Sequence, residues 1–159
     1  MKFIVHEDPA RRNEANYIAR VDLSPFGFDG EVEQVWLRSL GDGSFELCCI
    51  PFRAYGMALG DVVTVSEGEA TVTSVIRGSG NRVLRVLLAP DSAAQVSASE
   101  VKREIDDSGL INEWSGDRHV AIDVPPLVDV SALIGLLVRG EKDSLMFWEW
   151  GDALNFSQS

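Results

Sequence analysis

Residues 81–90 have the sequence NRVLRVLLAP and residues 97–109 have the sequence SASEVKREIDDSG, and these neighbouring segments decide the fold. The first segment is rich in branched apolar residues, which is typical of a strand. The second predicts a helix, because Ser97 can cap it, Glu100 follows three residues later and Gly109 can end it. One face of this helix is apolar and is formed by Ala98, Val101 and Ile105.

Three more strands are predicted after these segments. They are LINEWSG (110–116), RHVAIDVP (118–125) and LMFWEWG (145–151). A second helix is expected between them, from Asp129 as N-cap to Gly140. Its buried stripe is predicted at Val130, Leu133, Ile134, Leu137 and Val138. The order strand, helix, strand, strand, helix, strand predicts a ferredoxin-like βαββαβ unit over residues 80–159.

The first half of the chain predicts short strands separated by turns. The predicted strands are YIARVDL (17–23), VEQVWLRSL (32–40), SFELCCIPF (44–52), DVVTVSEG (61–68) and EATVTSVIRG (69–78). GDGS predicts a hairpin turn, GSGN predicts another, and Gly60-Asp61 predicts the turn that starts a strand. The core positions expected here are Val35, Leu37, Phe45, Leu47, Val62, Val63, Val72 and Ile76.

These patterns together predict an α+β protein of two subdomains packed as one globular unit. Residues 1–79 are expected to form a small antiparallel β-sheet or barrel, and residues 80–159 the ferredoxin-like part. The length of 159 residues is sufficient for such a unit.

The charge of the chain is strongly acidic and unevenly distributed. The formal net charge is −11, and residues 91–159 hold 13 Asp and Glu against 5 Lys and Arg. Phosphate backbones and anionic membranes repel such a surface, so the expected partner is a basic protein and not a nucleic acid or a membrane. Because no apolar stretch approaches the length of a membrane span or a signal peptide, the predicted location is cytoplasmic.

Residues able to support catalysis or metal binding are few and scattered. His6 and His119 have no partner set by spacing, and Cys48 and Cys49 lie in an apolar strand, where core packing is favoured over a role as nucleophile. Carboxylates such as Glu113 with Asp117 or Asp123 can form an acid/base pair only if the fold brings them together. No metal motif is found, and no cofactor is predicted.

Trp148 and Trp150 alternate with Glu149, so both rings are expected on one face of the last strand. Packing under the helices is favoured, which makes both rings part of the core. The alternative is an exposed aromatic platform beside acidic groups, the usual composition of an interface hot spot.

Three ordered motifs carry a resemblance to a known family. IPFRAYGMALGDVV (50–63), GSGNRVLRV (78–86) and HVAIDVP (119–125) resemble family 4265 of the bacterial domains of unknown function, over about Glu33 to Glu149. The resemblance implies a bacterial protein with a shared architecture, and it implies no activity.

These observations favour a non-enzymatic binding protein. The leading hypothesis is an immunity protein that neutralises a basic interbacterial toxin through an acidic surface. The alternative is a ligand-binding or regulatory module that forms a dimer or holds a small molecule against its ferredoxin-like sheet, and a small enzyme ranks third. The predicted partner contacts are Glu100, Glu104, Asp106, Asp107, Glu113 and Asp117.

Overall fold

A computed structural model describes residues 1–90 and 94–158, with the side chains of residues 94–97 excluded. Over these ranges the protein is a mixed α+β structure, mostly sheet, with two sheets and two helices. The strands are β1 (Lys2–Ile4), β2 (Tyr17–Asp22), β3 (Glu31–Ser39), β4 (Ser44–Leu47), β5 (Val62–Val65), β6 (Val72–Arg77), β7 (Arg82–Leu88), β8 (Asn112–Ser115), β9 (His119–Val124) and β10 (Met146–Trp150); the helices are α1 (Ala94–Ser108) and α2 (Ser131–Lys142).

The N-terminal sheet has the strand order β1-β3-β4-β5-β6, with β2 also paired to β3. Its pairs are antiparallel except β1 with β3, which are parallel, so the sheet is mixed and not purely antiparallel as predicted. The sheet curls until β2 reaches the segment before β6 through a bridge between Arg20 and Thr71. This is a single bridge and not a continuous ladder of hydrogen bonds between two strands. Within the described ranges the sheet therefore does not close into a barrel.

Turn chemistry explains most of the N-terminal strand boundaries. GDGS joins β3 to β4 as predicted: Gly41 and Gly43 adopt positive φ, and the Asp42 carboxylate accepts a hydrogen bond from the Ser44 N–H. Gly60 also has a positive φ at the start of β5. GSGN is not a hairpin turn, however, because β6 and β7 belong to different sheets.

The C-terminal sheet has the strand order β10-β7-β9-β8, and all of its neighbouring strands are antiparallel. Both helices pack on one face of it. The core on that face contains Leu84, Val86, Leu88, Val101, Ile105, Val120, Ile122, Leu133, Leu137 and Met146. Trp148 and Trp150 are half-buried and pack against this core, so both rings lie on the helix-facing side, as predicted.

The helix ends differ in part from the prediction. Because α1 starts at Ala94, Ser97 lies inside the helix and is not its N-cap, although Gly109 adopts a positive φ directly after the helix, as expected. In α2 the N-cap is Val130 and not Asp129 as predicted, although the Asp129 carboxylate accepts the Ser131 N–H, and the helix continues past Gly140 to Lys142. Val138 is exposed, since it lies one residue from Leu137 and therefore about 100° around the helix.

A separate apolar core lies within the N-terminal half. It includes Val35, Leu37, Leu47, Val63 and Val72 as predicted, together with Val21, and with Val83 and Ala121 from the second half. Ile76 is 57% exposed and was wrongly predicted as core; it lies on the edge strand β6. The exact division between residues 79 and 80 remains a prediction.

Candidate functional site

The face of the C-terminal sheet that the helices leave uncovered carries ionisable side chains. Strand alternation places Arg85, Glu113, His119, Asp123 and Glu149 there, opposite the apolar residues that contact the helices. Strand register arranges them in two rows. One row runs Glu149, Arg85, Ala121, Glu113, and the other runs Phe147, Leu87, His119, Ser115.

The first row ends in a buried ionic cluster of His6, Glu33 and Glu113. The Nδ1 atom of His6 lies 2.7 Å from Glu113 Oε1, and its Nε2 atom lies 2.8 Å from Glu33 Oε2. All three side chains are almost completely buried. The imidazole also stacks on the Phe52 ring, with centroids 4.4 Å apart. The cluster therefore ties the N-terminal strands to β8 of the other sheet.

Both carboxylates of the ionic cluster also hold a loop. Glu33 accepts hydrogen bonds from the backbone N–H groups of Phe52, Arg53 and Ala54 at 2.7–2.9 Å. Glu113 accepts them from Ile50 at 2.5 Å and from Ala10 at 3.2 Å. Residues 50–54 form no strand, so these side-chain acceptors satisfy amides that a sheet ladder would otherwise bind. The loop is thereby set in a defined position.

The ionisation of this cluster follows from its contacts. Burial alone would raise the pKa of Glu33, but the hydrogen bond and charge of His6, then the charge of Arg85 and the Phe52 amide, lower that pKa to about 2. For His6, burial opposes the charge, yet Cys49, Glu113 and Glu33 raise the pKa of the imidazole well above 6.5. The cluster is thus an imidazolium held between two carboxylates.

The two cysteines are core residues, as predicted. Both are buried and free. Burial, followed by the charge of Glu46, raises the pKa of Cys48 to about 11, and burial also raises the pKa of Cys49. Cys49 accepts the Trp36 N–H at 3.4 Å. A protonated, buried thiol is a poor nucleophile, which fits a packing role.

The second row of the sheet face borders an open cleft of about 420 Å³. One wall is the helix-free sheet face, and the other comes from the N-terminal half through Phe28 and the loop that Glu33 holds. We call this space the cleft. It is lined by Phe28, Phe52, Arg53, Arg85, Leu87, Ser115, His119, Phe147, Trp148 and Glu149.

Apolar and polar groups alternate within the cleft. Phe147 and Leu87 are cross-strand partners, and both are largely exposed although they are large apolar side chains. Arg85 is buried, and its Nη2 donates to the Ala54 carbonyl. Glu149 accepts the Tyr55 hydroxyl at 2.6 and 2.7 Å. An exposed apolar pair beside convergent polar groups is the usual composition of a ligand site.

The electrostatics of the cleft are set by its arginines. Burial first, then the positive charges of Arg85 and Arg53, lower the pKa of His119 to about 4, so the imidazole is neutral at pH 7. Burial and the neighbouring Glu149 carboxylate raise the pKa of Tyr55 to about 12. The cleft therefore presents two guanidinium groups, one carboxylate and an uncharged imidazole.

The predicted partner contacts separate into two groups. Glu100, Asp106, Asp107 and Asp117 are exposed, and Glu104 is half-buried on α1. Glu113 is 3% exposed and bonds His6, so its prediction as a surface contact is wrong. It alternates with Trp114 on β8 and points to the face where the N-terminal half packs.

The acid/base pair that Glu113 could have formed with Asp117 or Asp123 is not found either. Glu113 contacts His6, Asp123 accepts hydrogen bonds from Asn81 at 3.0 and 3.2 Å, and Asp117 is exposed in the β8–β9 turn. Among the residues that the structure describes, no group of three or more His, Cys, Asp or Glu side chains is placed to hold a metal ion. In the same ranges, neither helix is long and apolar enough to cross a membrane.

Sequence reasoning did not single out the residues that line the cleft, including Phe28, Phe52, Arg53, Arg85 and Phe147. One signal was present: Arg85 interrupts the apolar run of β7, and a charged residue at an inward position of a buried strand requires a partner or a function. Spacing set no partner for His119, and the structure places it in the cleft.

Two sheets, two helices on one of them and a cleft on its other face define a mixed α+β protein with a concave site between its halves. The chain belongs to the family described as Domain of unknown function (DUF4265), whose model matches residues 33–148. This confirms the resemblance carried by the three motifs. The family description assigns no activity.

Comparison with other proteins supports the fold alone. No curated protein matches the chain. A crystal structure of a hypothetical protein from Neisseria gonorrhoeae is similar, with a TM-score of 0.67 and 19% sequence identity. The match covers 89% of this chain and 99% of that one. At this identity the likeness concerns architecture and not function.

Proposed function

We propose that this protein is a non-enzymatic binding protein that holds a small ligand in the cleft. The observation that carries the proposal is the exposed pair Phe147 and Leu87 on the helix-free sheet face, beside Arg85 and His119 in a concavity of about 420 Å³. When an apolar ligand binds in a concave site, it removes such exposed apolar side chains from water, and this stabilises the complex. The ionic cluster supports the opposite wall by fixing residues 50–54.

We further propose that the C-terminal unit, with sheet order β10-β7-β9-β8, is of the ferredoxin-like type and that the protein is cytoplasmic. In this arrangement two helices cover one sheet face and leave the other free. The free face is where the ligand is proposed to lie.

The neutral aromatic dye N-phenyl-1-naphthylamine tests the cleft, because its fluorescence rises in an apolar environment. We expect saturable binding to the wild-type protein. Phe147→Ala should weaken that binding by about tenfold, since it removes one apolar wall. Phe3→Ala is the matched control, because Phe3 is also a largely exposed strand residue and does not line the cleft.

Equal weakening by the two variants, or no saturable binding at all, would contradict the proposed function. Far-UV circular dichroism of each variant checks the fold. Because both rings are largely exposed, we expect the two variants to fold like the wild type.

A second candidate function is toxin neutralisation by a basic partner. It is supported by the net charge of −11 and by the exposed carboxylates Glu100, Asp106, Asp107 and Asp117 with the half-buried Glu104. Acidic groups on such a face would speed association with a basic active site and occupy the place of its phosphate substrate.

The test uses the protein encoded by the gene immediately upstream, measured by titration calorimetry and by association kinetics. We expect a nanomolar complex whose association slows at least tenfold when Glu100, Glu104, Asp106 and Asp107 are changed to Lys. The matched control reverses Glu141 and Asp143, exposed at the end of α2. An unchanged association rate in the α1 variant would exclude this face.

A further inference from the structure

The guanidinium of Arg85 is the group in the cleft whose hydrogen bonds are incomplete. The residue is 2% exposed, and its Nη2 donates to the Ala54 carbonyl. Its Nε and Nη1 atoms are buried and have no hydrogen-bond partner in the described part of the chain. A buried donor without an acceptor is unfavourable and requires an explanation.

The neighbouring carboxylates are directed to other donors. Glu149 binds the Tyr55 hydroxyl, and its Oε1 lies 3.7 Å from Arg85 Nη1, beyond hydrogen-bond distance. The oxygens of Glu33 accept His6 and the amides of residues 52–54. Arg85 is therefore held by charge at a distance, and two of its donor atoms have no hydrogen-bond acceptor among the described residues.

The charge of the cleft is opposite to that of the whole chain. Its lining contains Arg53 and Arg85 against one carboxylate, Glu149, in a protein with a net charge of −11. Arg53 is also paired with Glu31 outside the cleft. When only the residues that line the cleft are counted, one positive charge is in excess, which a single negative charge from a ligand would balance and a doubly charged phosphate would exceed.

The remaining walls are aromatic. Phe28, Phe52 and Phe147 line the same space, and Phe52 is fixed by stacking on His6. Flat rings are suited to a flat apolar body, and a volume of about 420 Å³ is in the range of small-molecule sites.

We propose that the ligand of the cleft is a small aromatic monocarboxylate, whose carboxylate accepts hydrogen bonds from Arg85 and whose ring lies among Phe28, Phe52 and Phe147. This inference rests on the proposed function of the cleft. The carboxylate would supply the acceptors that Arg85 lacks, and an ion pair shielded from water is stronger than one on the surface. Arg53 at the rim adds a second positive charge.

A matched pair of probes tests the inference on the wild-type protein. 2-Naphthoate and 2-naphthamide have the same ring and nearly the same shape, but only the first carries a charge. Each is titrated as a competitor of N-phenyl-1-naphthylamine at pH 7. We expect 2-naphthoate to bind about tenfold more tightly, because a charge-assisted hydrogen bond is stronger than a neutral one.

Variants then locate the preference. Arg85→Gln should reduce the ratio between the two probes to about one, because it weakens the binding of 2-naphthoate more than the binding of 2-naphthamide. If Arg85→Gln does not fold, Arg53→Gln is used, because Arg53 is partly exposed, and the ratio should fall by about threefold. Arg38→Gln is the control for loss of a positive charge, since Arg38 is half-exposed and does not line the cleft.

Each outcome has a distinct meaning. Equal affinities for the two probes, or tighter binding of 2-naphthamide, would overturn the carboxylate inference and leave the cleft as a ligand site. A preference for 2-naphthoate that persists in the arginine variant would also overturn the carboxylate inference, since another group would then bind the carboxylate. Binding of neither probe, together with no dye binding, would overturn the proposed function itself.

Discussion

The two faces of the C-terminal sheet differ in what covers them. The helix-facing side carries Leu84, Val86, Val120, Ile122 and Met146, and α1 and α2 fill the space above it with apolar side chains. The opposite side carries Arg85, Glu113, His119, Asp123 and Glu149, and segments from the N-terminal half cover it only in part. One face is therefore a continuous core, and the other is divided between the buried ionic cluster and the open cleft.

The two faces are covered by different kinds of contact, and this difference explains how the site forms. The helices follow their strands directly in sequence, so an apolar stripe on each is enough to cover the first face. The second face is joined by contacts between residues far apart in sequence, such as His6 with Glu113, and those contacts are directional. Directional contacts set the loop at residues 50–54 in position and leave the neighbouring surface free for a ligand.

Breaking the ionic cluster should have the largest effect on stability. Glu113→Ala leaves His6 with one carboxylate and removes the acceptor of two backbone amides, so we expect the free energy of unfolding to fall by about 3–5 kcal/mol. Urea denaturation at pH 7 measures it. Asp117→Ala, in the exposed turn of the same hairpin, should change stability by less than about 0.5 kcal/mol. A small effect at Glu113 would mean that the cluster does not hold the two halves together.

A substitution on the helix-covered face should lower the free energy of unfolding somewhat less than Glu113→Ala does. Leu137→Ala removes a fully buried side chain of α2, and we expect a loss of about 3 kcal/mol from the transfer and cavity terms. Val138→Ala is the neighbouring control, because its side chain is exposed and should contribute little. The same denaturation experiment compares them. Similar losses at both positions would contradict the assigned orientation of the helix.

The helix-free face of the sheet should also make stability depend on pH, through His119. Because the pKa of His119 is lowered from 6.5 to about 4, the unfolded chain binds a proton between these values that the folded protein does not. The free energy of unfolding should therefore decrease as pH falls from 7 to 5, and His119→Gln should remove about 2 kcal/mol of that decrease. Urea denaturation at both pH values gives the difference. An identical decrease in the variant would show that His119 is not held neutral.

The ionic cluster acts in other pH windows. The pKa of His6 is raised well above 6.5, so its contribution to stability is complete below pH 6.5 and is lost as pH rises through the raised value. The pKa of Glu33 is lowered from 4.5 to about 2, so its contribution is present above pH 4.5 and is lost as pH falls towards 2. Because His6 and Glu33 are present in both the wild type and the His119→Gln variant, their contributions cancel in the difference between the two proteins.

Local patterns predicted most of the elements correctly. The alternating run around Leu84 and Val86, the stripe containing Val101 and Ile105, and the GDGS turn each depend on residues close in sequence, and each is found in the structure. The errors occur where an element boundary or a strand pairing depends on more than the local sequence pattern. Ser97 lies inside a helix that starts earlier, and GSGN links two sheets where a hairpin was expected.

The candidate site was less predictable for the same reason. Its polar residues come from the segment between β1 and β2, from β3, from the loop after β4 and from all four strands of the second sheet, and no spacing rule connects them. Glu113 illustrates this: composition makes a glutamate on a short strand an expected surface residue, whereas its burial depends on the presence of His6 more than 100 residues earlier.

The α+β class, the order of strands and helices from β2 onwards, the family and the acidic character of the chain follow from the sequence, because they depend on local periodicity, turn residues and composition; β1 was not predicted. Tertiary structure alone decided which carboxylates are buried, how His6 becomes an imidazolium between two of them, and where the cleft lies. The physical reason is that burial and pairing depend on which segments meet in space, and charges respond to that environment more strongly than apolar side chains do.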